Sequence, residues 1–455
     1  MKSISSPLIL FLLLSAVFLV GAQASLAESW PRFPWPEFRG PGGDGIATAE
    51  NVPAKFDEEN GVAWKTELPG RGWSSPVFDG THLWMTTAIE KFPSEEERLG
   101  KLRAAGEEEK KFNSRQVADR IEIAVLKVDY ATGELVDKII LDTIEEPQTI
   151  HTFNSFASPT PVINDGILYA HFGAFGTFAV RMAGSEVKWH RKIEIEHGVG
   201  PGSSPFIYQN LLILICDGVD QQFVTALDKS TGEDVWKTDR PEMRAPLGDQ
   251  KKSYNTPVLV TGADGKDQLV CMGAQWLVSY VPETGEEIWR LDHGSGFSVV
   301  PRPVFSDKHQ LLFLSTGFGK PVLLAVRVDG RGDITDQNKI MWREEKRIPA
   351  KPSPLLVGDE LYVISDGGIA SCFDALTGLH HWTERIDGNY SASPLFADGK
   401  IYFANQEGTV NVLNPGKTFE IASTNQLDGS FMASPLAFDG ALIIRSDTAI
   451  YRFSN

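Results

Sequence analysis

Eight side chains could together hold a ligand, and all stand close to one recurring dipeptide, a small hydroxyl residue followed by proline. Arg302 occupies the hydroxyl position itself, ahead of Pro303. Trp73, Tyr254, Lys351 and Tyr390 come three or four residues before their prolines, Asn255 follows Tyr254, and His151 and Asn154 lie slightly earlier than Pro159. If these positions converge, they form a partly aromatic mouth with two fixed cations, Arg302 and Lys351. Such a mouth suits a planar or anionic ligand, through stacking, cation–π contact and charge-assisted hydrogen bonds. The alternative is that Arg302 pairs with a neighbouring carboxylate and the aromatic groups are packing.

No catalytic or metal site is assigned. Cys216, Cys271 and Cys372 are far apart and each lies in an apolar, strand-like run, which favours buried free thiols over a disulfide pair across neighbouring elements. No Cys-x-x-Cys-His sequence is present to attach a c-type haem. Asp329, Asp333 and Asp336 lack the spacing of a calcium loop. Arg331-Gly332-Asp333 matches a cell-adhesion tripeptide, but a glycine flanked by charges is ordinary loop composition.

The elements that must position these residues repeat. The starts are Ser75-Pro76, Ser158-Pro159, Ser204-Pro205, Thr256-Pro257, Arg302-Pro303, Ser353-Pro354, Ser393-Pro394 and Ser434-Pro435, spaced 40 to 52 residues apart except for one step of 83. After each proline comes a short apolar strand, then a turn such as Asp165-Gly166 or Asp398-Gly399, then three more strands. Four short antiparallel strands at this period predict an all-β, eight-bladed propeller. Proline, which cannot donate to a ladder, suits the first residue of an innermost strand.

The outer strands supply a second series: Trp64, Trp189, Trp236, Trp289, Trp342 and Trp382. The fullest copy is Ala226-x-Asp228-x-x-Thr231-Gly232-x-x-x-Trp236, in which Asp and Thr bond the turn backbone and Trp packs between neighbouring blades. The last unit has only three strands after Pro435. Gly61 to Lys65, around Trp64, supplies the missing fourth, so an N-terminal strand is expected to complete the C-terminal blade.

Together with Trp35 to Gly45 and the Ser-Pro starts, these motifs resemble the quinoprotein-repeat (PQQ-binding-like) β-propellers, a family similar to the propeller subunit of the outer-membrane protein assembly machinery. The resemblance spans Trp35 to Asn455. It implies the propeller fold and an exported, non-catalytic interaction scaffold with envelope proteins or peptides as partners. One alternative is a quinoprotein dehydrogenase using PQQ with calcium, but the adjacent Cys pair typical of those enzymes is missing; under the scaffold reading no cofactor is expected. Another is a small-ligand or glycan-binding module.

Composition narrows the partners. The net charge of −17, with no basic cluster, argues against nucleic acid. Residues 1–27 have the character of a signal peptide: Lys2, an apolar run from Leu8 to Val20, and small residues at Ala24 or Ala27 for cleavage. A periplasmic or extracellular location without a transmembrane segment is therefore expected. The domain reading is an extension over 28–60, then one propeller over 61–455 with a charged helical insertion at about 93–120.

Overall fold

Alternation and apolar runs become strands according to how many of their faces are covered. The computed structural model describes residues 34–455 apart from position 263, so the signal segment assigned to 1–27 and the first residues of the extension lie outside the described residues. In the third blade, Leu211–Asp217 is buried at every residue because neighbouring blades cover both its faces, whereas the outer strand Asp234–Asp239 buries only Trp236. Each of the eight blade sheets has four strands in meander order, inner to outer, with a fifth added at the outer edge of the fourth blade, and together they are an eight-bladed β-propeller. The eighth is closed by the N-terminal strand Val62–Glu67, which pairs antiparallel with Ala449–Ser454. Among the described residues no helix is long and apolar enough to cross a membrane.

The tryptophans join blade to blade. Indole Nε1 of Trp64, Trp189, Trp236, Trp342 and Trp382 donates to a carbonyl in the next blade, at Tyr130, Lys229, Pro282, Ala375 and Gly416, over 2.9 to 3.0 Å. A bulge in the outer strand pair sets the aim, as between Ala226 and Leu227 opposite Trp236. Four of the receiving turns need glycine, at Gly133, Gly232, Gly285 and Gly378: a Cβ on Gly285, whose φ is +71°, would lie 2.4 Å from the Trp236 ring. Trp289 differs, donating instead to Gln268 of its own blade at 2.8 Å.

Three local features depart from the repeat. In the second blade the inner strand Val162–Asn164 begins after Thr160-Pro161, two residues beyond the Ser158-Pro159 start. Gly332–Asp333, from the Arg-Gly-Asp tripeptide, is a fifth strand on the fourth blade, paired parallel with Trp289 and Arg290. Cys216, Cys271 and Cys372 are buried and unpaired.

The first blade's insertion contains the helix Glu95–Ala104, opened by a Ser94/Glu97 capping box. It packs Leu102 against Phe112 and Val117. Its return strand Arg115–Gln116 pairs with Ile150–His151 and so fixes the loop that leads into the second blade. Arg115 adds a 2.6 Å bond to the Gly198 carbonyl.

Candidate functional site

The hydroxyl residues before the prolines form a ring around the channel. Backbone N–H of Ser75 donates to Thr160 Oγ1, Thr160 to Ser204, and Ser204 to Thr256, over 2.9 to 3.4 Å. The other side runs from Arg302 to Ser353, Ser393, Ser434 and back to Ser75, each over 2.9 to 3.0 Å. Each oxygen thus accepts from a neighbouring blade; Ser393 also donates its own proton to Ser353 at 3.0 Å, and the other hydroxyl protons are free to face the channel. Arg302 is the one blade position with no hydroxyl.

One end of the channel is closed by residues 35–46. Trp35 bridges to Phe78 of the first blade and Ile46 to Phe396 of the seventh. Between them, Arg302 Nη1 donates to the Phe38 carbonyl at 2.7 Å, Nε donates to the Pro257 carbonyl at 3.1 Å, and Nη2 lies 3.4 Å from both Glu37 carboxylate oxygens. Gly43, at φ +66°, passes so close to this guanidinium that a Cβ would lie 2.3 Å from it. Burial pushes the Glu37 carboxyl up, opposed by the charge and hydrogen bonding of Arg302. Arg39 crosses the same plug and donates to the Asp44 and Pro354 carbonyls, its pKa lowered by burial to about 9.

The other end is a cup of about 420 Å³ with Phe38 at its base and ring residues such as Ser75, Ser204 and Ser434 on its walls. Its rim carries two exposed aromatic groups, Phe153 (70 % exposed) and Phe318 (38 %). Trp73 donates from Nε1 to the Phe153 carbonyl at 3.1 Å, and Arg71 stacks 5.4 Å over the Trp73 ring. Lys351 Nζ lies 5.9 Å from the Phe153 ring centre and 3.6 Å from Asp366.

Of the eight residues that the sequence brought together, Trp73, His151, Asn154, Tyr254 and Lys351 line this cup, and Arg302, Asn255 and Tyr390 do not. Arg302 is buried and points into the opposite plug, where Glu37 neutralises it. Asn255 is buried and spends its amide on the Pro301 carbonyl at 2.5 Å and the Met272 N–H at 3.3 Å. Tyr390 is wholly buried between the sixth and seventh blades, where its oxygen accepts from Asn411 at 3.2 Å and burial pushes its pKa up to about 12.

Two of the five cup residues are also committed to structure. The Asn154 amide donates to the Val199 and Pro201 carbonyls at 2.9 and 3.0 Å, pinning the rim. Burial, with the charges of Arg115 and Lys252, lowers the His151 pKa, so this ring is neutral at pH 7, and its Nδ1 accepts from the Phe153 N–H at 3.1 Å. The cup's own cation is therefore Lys351. Sequence reasoning missed Phe38, Phe153, Phe297, Phe318 and Met432. Phe153 had a signal, since it lies between His151 and Asn154. Phe318 falls between Gly317 and Gly319 in a turn, where nothing in the sequence distinguishes a channel-facing ring.

No Asp or Glu lines the cup, and among the described residues no group of three or more His, Cys, Asp or Glu side chains is placed to hold a metal. Calcium takes oxygen ligands, carboxylates prominent among them. The aromatic walls could stack a flat ring, but the donor set does not fit a calcium-bound quinone.

An eight-bladed ring of docking tryptophans with an aromatic cup at one channel mouth defines the PQQ-like-repeat β-propellers as the chain's class. The family model described as outer membrane protein assembly factor BamB matches residues 220–326 and 273–455, more than half of the sequence, and the chain belongs to that family. No curated protein matches it in sequence. BamB from Moraxella catarrhalis shares the fold at 15 % identity and a TM-score of 0.52, over 75 % of this chain and 96 % of that one. The quinohemoprotein alcohol dehydrogenase ADHIIG from Pseudomonas putida HK5 does so at 10 % identity and 0.58, over 93 % and 80 %. The computationally designed Ika8 protein aligns at 11 % and 0.52, over 74 % and 93 %.

Proposed function

We propose that this chain is an exported cell-envelope propeller that acts as a non-catalytic interaction scaffold, receiving a segment of another protein at the cup-bearing mouth. The observation that carries the reading is the cup itself: a preformed, one-ended cavity with exposed Phe153 and Phe318 on its rim and no carboxylate in its lining. Exposed aromatic groups around a desolvated pocket are the usual anchors of protein recognition. The family description, an outer-membrane protein assembly factor, supports a protein partner and an envelope location. A dehydrogenase would need a base and a bound metal near its cofactor. Here the histidine of the cup is neutral and already bonded to backbone.

The test pairs two assays on the purified chain. Selection from a displayed random-peptide library should enrich binders that are lost with Met432→Trp, which fills the cup, and weakened by Phe153→Ala at the exposed rim. Dye-coupled oxidation of alcohols and sugars with added quinone and calcium should show no turnover. Turnover abolished by Met432→Trp would overturn the scaffold reading, as would library binders indifferent to that variant.

A further inference from the structure

Resting on that reading, we propose that the segment received at the cup is an extended acidic peptide with a single aromatic or long aliphatic anchor. The cup shares the Phe297 wall with a neighbouring groove over the fourth and fifth blades that passes Arg244, Gln275 and Lys320. Neither lining contains an Asp or a Glu. The chain has 60 acidic residues in 455, so linings of that combined size would hold about four at the average content. Carboxylates are therefore depleted along this one track on a protein of net charge −17.

The positive charges are distributed along the same track. Lys351 stands on the cup wall, its ammonium 3.6 Å from Asp366. Arg244, two-thirds exposed, pairs with the less exposed Asp292 behind it and keeps an open side. Lys320 is exposed in the turn that carries Phe318 and lines the groove. Cations at the rim attract acidic flanks and repel basic ones, which gives specificity and association rate more than raw affinity.

The cup supplies the anchor site. Its walls are aromatic and apolar side chains interleaved with ring hydroxyls, whose oxygens already accept from backbone N–H groups. About 420 Å³ takes a large side chain with the backbone beside it. Free hydroxyl protons and Lys351 then face the peptide carbonyls and the nearest carboxylate. A closed base at Phe38 stops the chain from threading through, so the peptide turns out along the groove.

The experiment is fluorescence anisotropy with three labelled synthetic peptides: one phenylalanine between acidic residues, the same peptide with basic flanks, and the acidic peptide with serine in place of phenylalanine. The acidic aromatic peptide should bind at least roughly tenfold more tightly than either other peptide. Rising ionic strength and Lys320→Glu should each weaken it severalfold, and Met432→Trp should abolish binding. Equal binding of acidic and basic peptides, sensitive to Met432→Trp, would overturn the charge assignment and leave the scaffold reading standing. Failure of all three peptides would overturn the acidic-peptide assignment, and quinone turnover beside it would overturn the scaffold reading as well.

Discussion

At the residue scale, Arg302 shows how one substitution in a repeat changes its partner. Seven blades put a hydroxyl into the channel ring, and the fifth blade puts there a guanidinium too long to stay in it. Its charge is met by Glu37 and the Phe38 carbonyl of the plug. Removing one member of a buried pair leaves the other charge uncompensated, at a cost of about 3–5 kcal/mol, whereas replacing both with apolar groups costs far less. Glu37→Gln should therefore lower the urea midpoint sharply, and Arg302→Met in the same chain should recover most of the loss. A midpoint unchanged by Glu37→Gln would show that the pair does not hold the plug. From sequence, Arg302 was legible as an exception but not in its direction. The residue that neutralises it is 265 positions away, and no local pattern reports such a contact.

At the element scale, blades are locked by a ring, a turn and a bulge acting together. The bulge opposite Trp236 aims the indole at the Thr284-Gly285 turn, and the Pro282 carbonyl accepts its N–H. Gly285→Ala meets both a left-handed backbone and the Trp236 ring, and strain of this kind costs about 1–3 kcal/mol. Thermal unfolding should drop by several degrees, with Gly265→Ala, a left-handed turn glycine open to solvent, showing the smaller backbone effect alone. Equal losses would show that ring contact contributes nothing. Blade number and closure were legible because they rest on repeated local chemistry, the proline starts and the tryptophan strands. The second blade's true start was not, since Ser158-Pro159 and Thr160-Pro161 both satisfy the pattern and only the ring of hydrogen bonds selects Thr160.

At the scale of the whole molecule, the N-terminal extension and the buried histidines decide how the ring responds to its surroundings. Trp35, Val52 and Phe56 of the extension belong to the same core cluster as the first, seventh and eighth blades, so closure and plug are one structure. Burial lowers His171 and His293 to about 4 and His197 to about 3, from an ordinary 6.5. Between those values the unfolded chain binds protons that the folded chain refuses. Stability is therefore fully present above pH 6.5 and falls as the pH drops towards 4, at about 1.4 kcal/mol per pH unit for each histidine. Urea midpoints should decline through that window, and His171→Asn, which keeps a polar partner for Thr177, should flatten the decline; an unchanged slope would contradict it.

The cup was only half legible at this scale. Trp73, Tyr254 and Lys351 share a place in the repeat and meet at the channel mouth, whereas Phe38 and Phe318 reach it from a distant extension and an ordinary turn. A scaffold of this kind receives another polypeptide at the cup mouth and not at the plugged end. Hydrogen–deuterium exchange of the chain with and without a bound library-selected peptide tests it most directly. Exchange should slow in residues 150–156 and 316–320 and stay unchanged in 35–50; protection confined to 35–50, or absent from the cup rim, would rule out the cup as the receiving mouth.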